Sequence, residues 1–460
     1  MSTLEPPIRR ISPTRFDALV GYARQPMALV MAEEITYGET PDGRFVVSVI
    51  RDRSDNDFGG MIFARDKNGR FRWVGGTEFF TDPAKAELAT VVELEKLRTQ
   101  SDKAFWQGDE DGKPLDFFKP MRRPDELHES FNLLMDSEGY SPARGIIEPM
   151  MRWYEDADGN FVEQFQTTGF DARIWELYLY AAFVELGYIV DRTVAVPDFV
   201  CDGLLGRFSV EAVTVNPTRN KAGAILPPPA LETMDDIRIF LREYMPIKYA
   251  GPLTAKLAKR YWEHDHVKDA PLLFAVQDFS SVGSMTRTKS ALGVYLYGYD
   301  HDAHYEGETL VITPRKVAAH TFGSKTIQSG FFSLPDAENV SAVLFNSAGT
   351  ISKFNRMGVL ARFGSDRIIL IRQGTRPDPN PNASAPIAFV EQVGSPEYFE
   401  DWIEGLEVFH NPNARVPLPP TSLPGALHHR LRPDGQVESN GPLAPIASET
   451  RILVPRPDKH

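Results

Sequence analysis

Thiols are almost absent from the 460 residues: Cys201 is the single cysteine. One cysteine cannot bridge within the chain, so a disulfide scaffold is excluded and a reducing, cytoplasmic setting is expected. Long apolar runs are missing as well. Stretches such as Tyr178–Val184 fall far short of the ~18–20 apolar residues of a membrane-spanning helix. The opening segment Met1–Arg10 carries no apolar core of the signal-peptide kind. Positive charge is in deficit, with 50 Lys and Arg against 63 Asp and Glu and a net charge of −13. That balance argues against nucleic-acid binding through the whole surface and leaves room for a local basic groove. No Gly-x-Ser-x-Gly elbow, strand-following Gly-x-Gly-x-x-Gly turn or Gly-Lys-Ser/Thr phosphate loop occurs. Elbow hydrolases and nucleotide cofactors are therefore not expected. His128-Glu129 does not extend to His-Glu-x-x-His, and His264/His266 and His301/His304 lack a third ligand at a recognised spacing, so both pairs read as exposed turn histidines.

What is present is an ordinary globular composition, 42% hydrophobic with 29 phenylalanines, long enough for two to four domains. Residues 1–150 read as a β-rich module with a helical arm. Its strands fall at Phe45–Ile50, Gly60–Ala64 and Arg70–Val74, the last entered through an Asn-Gly turn. A core follows over 151–305. Residues 306–410 form a second β-rich module, in which Ser395-Pro-Glu-Tyr398 is expected to open a helix to about Leu406. The Pro-rich stretch 411–460 is expected to be an extended tail, either a wrap or a loose end. The fold class is mixed α/β.

The core is the most legible part. Asp171–Gly187 has the apolar stripe of a buried helix, Ile174, Leu177, Tyr178, Ala181 and Ala182, with Gly187 placed as its C-cap. Tyr188–Val194, Asp198–Cys201 and Arg207–Val215 read as three strands, and helices at Met234–Tyr244 and Leu253–Trp262 lead to a buried strand at Asp269–Gln277. Within this αβββαβ order, Glu176 sits mid-helix, Pro197-Asp198 opens a strand and Glu211 lies inside the next. Two carboxylates on adjacent strands can converge on a hard cation, and Mg²⁺ is commonly held by one or two carboxylates plus substrate phosphate. Bland roles stand beside these: Asp198 as a turn cap, Glu211 as an edge-strand surface residue, and Glu176 as the partner of Arg173 one turn earlier.

These residues and this order resemble the PD-(D/E)XK, or restriction-endonuclease-like, nuclease superfamily over about residues 170–280. The resemblance implies a Mg²⁺- or Mn²⁺-dependent endonuclease acting on DNA, with Asp198 and Glu211 as metal ligands and Glu176 assisting. Val213 stands where the family pattern has lysine, so the cation must come from elsewhere. Lys221 in the following loop is taken as the catalytic candidate, and Lys248 and Lys256 near the next helices are the others. Arg242, Lys248, Lys256, Lys259 and Arg260, interleaved with aromatics, are the expected nucleic-acid-binding face. A second basic run from Lys353 to Arg372, with Gly349–Gly358 as a loop, could meet phosphate or another domain. The missing lysine also suits an inactive nuclease-like module that binds nucleic acid or supports assembly.

Overall fold

The structure is a computed structural model. It describes residues 8–110, 114–154 and 159–455, so most of the Met1–Arg10 segment read above lies outside the described residues. An antiparallel sheet opens the chain: β1 (Arg9–Arg10), β2 (Ala32–Glu39), β3 (Phe45–Asp52), β4 (Phe58–Arg65) and β5 (Phe71–Gly76) pair in that order. Helices α1 (Pro13–Val20) and α2 (Pro26–Met31) come between β1 and β2, and α3 (Pro83–Arg98) follows β5. Both faces of this sheet are covered. Phe45, Val47 and Ile62 pack on Leu94 and Leu97 of α3, whereas Val46 and Phe63 pack on Phe16, Leu19 and Val20 of α1. Double burial explains why Phe45–Ile50 reads as a continuous apolar run instead of an alternating one. Helices α4 (Glu129–Asp136), α5 (Ser141–Trp153) and α6 (Phe161–Gln166) then lead into the core.

The core begins with α7 (Phe170–Glu185). The helix is buried on almost every side, and it ends in a Schellman turn with Gly187 at φ 81°. There Gly187 N–H donates to Val184 O (2.9 Å) and Tyr188 N–H to Phe183 O (3.0 Å). Three antiparallel strands follow, β6 (Ile189–Asp191), β7 (Phe199–Gly203) and β8 (Gly206–Val215), then α8 (Met234–Ile239), α9 (Met245–Leu257) and β9 (Leu272–Asp278). β9 runs parallel to β8. This is the helix–three strands–helices–strand order expected from the sequence. A π turn, Phe240–Tyr244, joins α8 to α9. Pro246 has no N–H to offer Arg242 O, and that carbonyl instead accepts from His320 Nδ1 at 2.6 Å.

The sheet does not stop near residue 305. After α10 (Lys289–Tyr297) come two hairpins, β10 (Tyr299–Glu306) with β11 (Thr309–Lys316), and β12 (Ala319–Phe322) with β13 (Lys325–Gln328). The chain continues through β14 (Ala342–Asn346), α11 (Ile351–Leu360), β15 (Ile369–Arg376), β16 (Ile387–Gln392), β17 (Leu406–His410), β18 (Leu427–Leu431), β19 (Val437–Asn440) and β20 (Ala447–Leu453). One eight-stranded sheet has the order β19-β18-β17-β14-β9-β8-β7-β6, and β16-β15-β20 form a smaller one. The separate 306–410 module and the extended 411–460 tail of the sequence reading are thus corrected: both stretches supply strands that complete the core sheet. No helix forms over 395–405. That segment instead turns Glu400 inward, and the Trp402 and Ile403 N–H groups donate to Glu185 on α7 at 3.0 and 2.9 Å. His301 and His304 lie on strand β10 and not in a turn. Among the described residues no helix is long and apolar enough to cross a membrane.

Candidate active site

β7 and β8 put Asp198 and Glu211 together. In their register Phe199 faces Val210, so Asp198, one residue before β7, lies opposite Glu211. The two are laced directly. Asp198 N–H donates to Glu211 Oε2 (3.3 Å), and Ala212 N–H donates to Asp198 Oδ2 (2.8 Å). Glu211 is buried on an interior strand, between β7 and β9, so the edge-strand surface role is ruled out. Alternate β8 residues serve opposite faces: Phe208 and Val210 pack towards α7, and Val213 and Val215 towards α9. Glu211 shares the second face, where its carboxylate meets α9.

There it finds a cation. Lys256 of α9 forms an ion pair with Glu211 Oε1, and Tyr261 Oη donates to the same oxygen at 2.6 Å. An ammonium thus meets the Glu211 carboxylate from α9. The Lys256 side chain is 27% exposed. Lys221 is exposed in the turn after β8 and makes no hydrogen bond or ion pair among the described residues; Lys256, and not Lys221, is the lysine brought to the carboxylates.

Glu176 reaches the site from α7. It is buried, and both its oxygens take Arg173 Nη1, at 2.8 and 2.7 Å, while Tyr154 Oη donates to Oε2 at 2.7 Å. The structural pairing with Arg173 is present, and it coexists with a position beside Asp198. Arg192 completes the surround. Its guanidinium lies 3.9 Å from the Tyr154 ring centroid and donates to Asp198 O at 2.6 Å.

The electrostatics are uneven. Glu176 and Glu211 each have a cation of their own, whereas Asp198 has an N–H. Burial first, then the charges of Glu176 and Glu211, push the Asp198 carboxyl up to about 8, against the opposing pull of Ala212 N–H and Lys256. The group behaves as an acid that lacks a counter-cation. Among the described residues no three His, Cys, Asp or Glu side chains form a ready-made metal cage. What the two strands bring together is a carboxylate pair, Asp198 and Glu211.

The remaining basic candidates divide. Lys248 and Lys256 lie on α9, and Lys259 follows in the turn just after it. Lys259 is exposed and without a side-chain partner among the described residues, while Lys248 Nζ donates to Asn216 O (2.7 Å) and Thr218 Oγ1 (3.0 Å). Arg242 is paired with Asp300, and Arg260 with Glu263 at 2.7 Å. The second basic run belongs elsewhere. Gly349–Gly358 is mostly α11, and Lys353, Arg356 and Arg372 are buried on Glu400. Sequence reasoning missed Tyr154, Arg192 and Tyr261; the one signal for Tyr261 was its place in the aromatic-basic stretch after α9. Comparison of the chain with family models, curated proteins and solved structures finds no match.

Proposed function

We propose that the chain is a metal-dependent nuclease with a restriction-endonuclease-like core, hydrolysing DNA phosphodiester bonds. Asp198 and Glu211 would hold Mg²⁺ or Mn²⁺, with Glu176 fixing the Arg173 side of the site. When bound, such a cation polarises the phosphodiester and acidifies an attacking water. The chain's own part is positional and electrostatic. Lys256, tethered through Glu211, presents an ammonium to the charge that develops on phosphate oxygen, and Tyr261 keeps Glu211 Oε1 turned towards it. Lys259, in the turn after α9, extends that positive edge towards the phosphate backbone.

The single observation that carries the reading is the juxtaposition of Asp198, Glu211 and Lys256, with Asp198 held near neutrality for want of a cation. The test mixes the full chain with supercoiled plasmid and linear DNA in Mg²⁺ or Mn²⁺, beside an Asp198→Ala/Glu211→Ala double variant. Metal-dependent cutting by the wild type that the variant loses supports it. Absence of cutting, or equal cutting by both, overturns it. A second reading, a nuclease-like module that binds without cutting, is favoured by one fact: Glu211 Oε1 is already engaged by both Lys256 and Tyr261. It predicts salt-dependent DNA binding with no metal-dependent turnover.

A further inference from the structure

A cavity of about 790 Å³ lies between the N-terminal sheet and the core, and its walls carry the rings of Tyr22, Tyr37, Phe63, Trp73 and Trp153. Few of its features suit a merely structural void. Trp73 is 58% exposed, a large apolar ring left at the surface of β5. Trp153 Nε1 is buried and has no hydrogen-bond partner among the described residues. Arg70 and Arg72 stand 5.2 and 5.8 Å from the Trp153 ring centroid, steadied by Asp66 (2.8 Å) and Asp109 (3.1 Å). Arg53, also on the cavity wall, is exposed and has no side-chain partner among the described residues.

A second hollow of about 480 Å³ shares Tyr22, Arg24 and Trp153 with the first and reaches Asp191, Arg192 and Thr193. Arg192 donates to Asp198 O, and Tyr154, the neighbour of Trp153, donates to Glu176. Ring faces, an unmatched donor and cations at the rim suit a flat heteroaromatic group attached to phosphate. Bases stack on aromatic side chains for about 1–3 kcal/mol each, whatever their sequence. An apolar peptide would use the rings and make no use of Arg53.

We propose that this cavity receives an unpaired nucleobase, presented by a single strand, of the nucleic acid cut at Asp198 and Glu211. The proposal rests on the nuclease reading for its substrate, but its test does not. Binding of a fluorescein-labelled single-stranded 12-mer and of the same sequence as a duplex is measured by anisotropy in EDTA, where no cutting occurs. The wild type should prefer the single strand. Trp73→Ala, at an exposed position, should weaken single-strand binding about 10-fold, consistent with the loss of one stacking platform. Trp153→Phe, which keeps a ring and removes the N–H, should weaken it about 3-fold. Duplex binding by both variants should stay within about 2-fold, with unchanged circular dichroism. Equal affinity for the two forms, or indifference to Trp73→Ala, overturns the base site and leaves any plasmid cutting untouched. Trp73-dependent single-strand binding by a chain that never cuts upholds the base site and removes the nuclease reading alone.

Discussion

Two buried carboxylates in this molecule meet opposite fates. Glu400 lies fully buried against three cations: Arg356 donates to both its oxygens at 2.8 Å, Lys353 is 2.9 Å away and Arg372 3.6 Å. Burial opposes its ionisation, yet Arg356, Lys353 and Arg372 outweigh it and hold the carboxyl well below the usual carboxylate range. Asp198 stands beside two other acids; Arg173 is paired with Glu176, Lys256 with Glu211, and Arg192 donates to the Asp198 backbone carbonyl. Its carboxyl is pushed up to about 8. The first cluster is complete within the chain and ties α11 and β15 to the segment before β17. The second leaves the Asp198 carboxylate without a directly bonded cation among the described residues. Charge compensation, more than burial, separates a structural ion cluster from a candidate site.

The largest effect expected from breaking this comparison is on the compensated side. Glu400→Gln strands three buried cations and should cost about 3–5 kcal/mol, read as a fall in the denaturant midpoint. Next comes Lys256→Ala. Removing one positioned charge should lower plasmid cutting by roughly 100-fold with a smaller change in DNA affinity; Lys256→Arg should recover part of the rate. Asp198→Asn should act in the opposite direction on stability. A raised carboxyl pKa means that the folded chain keeps a proton the unfolded chain releases, so this group's contribution to stability falls as pH rises from about 4 to about 8. In EDTA at pH 8 the variant should therefore melt about 2 °C or more above the wild type, while at pH 4 the two should coincide. Glu400 has the other sign: its contribution is present at neutral pH and is lost as pH falls below the ordinary carboxylate range. The smallest effect belongs to Lys221→Ala, exposed and unpaired, which should change stability by less than about 0.5 kcal/mol and cutting hardly at all.

Some of this was legible without coordinates. The α7 stripe, the Gly187 cap and the β7–β8 hairpin are local patterns, and they brought Asp198, Glu211 and Glu176 into view. Lys256 could be named but not selected, because the contact joins residues 45 apart across a sheet face, and spacing along α9 does not reveal which residue meets β8. The core's true extent was hidden for a similar reason. β14, β17 and β18 are five-residue strands separated by insertions, and their order in the sheet is a tertiary choice. Gly349–Gly358 looked like a loop because of its glycines, yet Gly358 sits within α11. A Cβ there would come within 2.2 Å of Pro142 O, so that glycine marks close packing of α11 on α5. The helix expected after Ser395 gave way to the burial of Glu400, which no local propensity records.

The central claim is that Asp198 and Glu211 form a cation site and Glu400 does not. Mn²⁺ titrated into the full chain at pH 8 and followed by electron paramagnetic resonance tests it directly. One bound ion per chain is expected for the wild type, lost in Asp198→Asn/Glu211→Gln and retained by the Lys221→Ala control. No bound ion in the wild type, or the same occupancy in the double variant, would contradict the account.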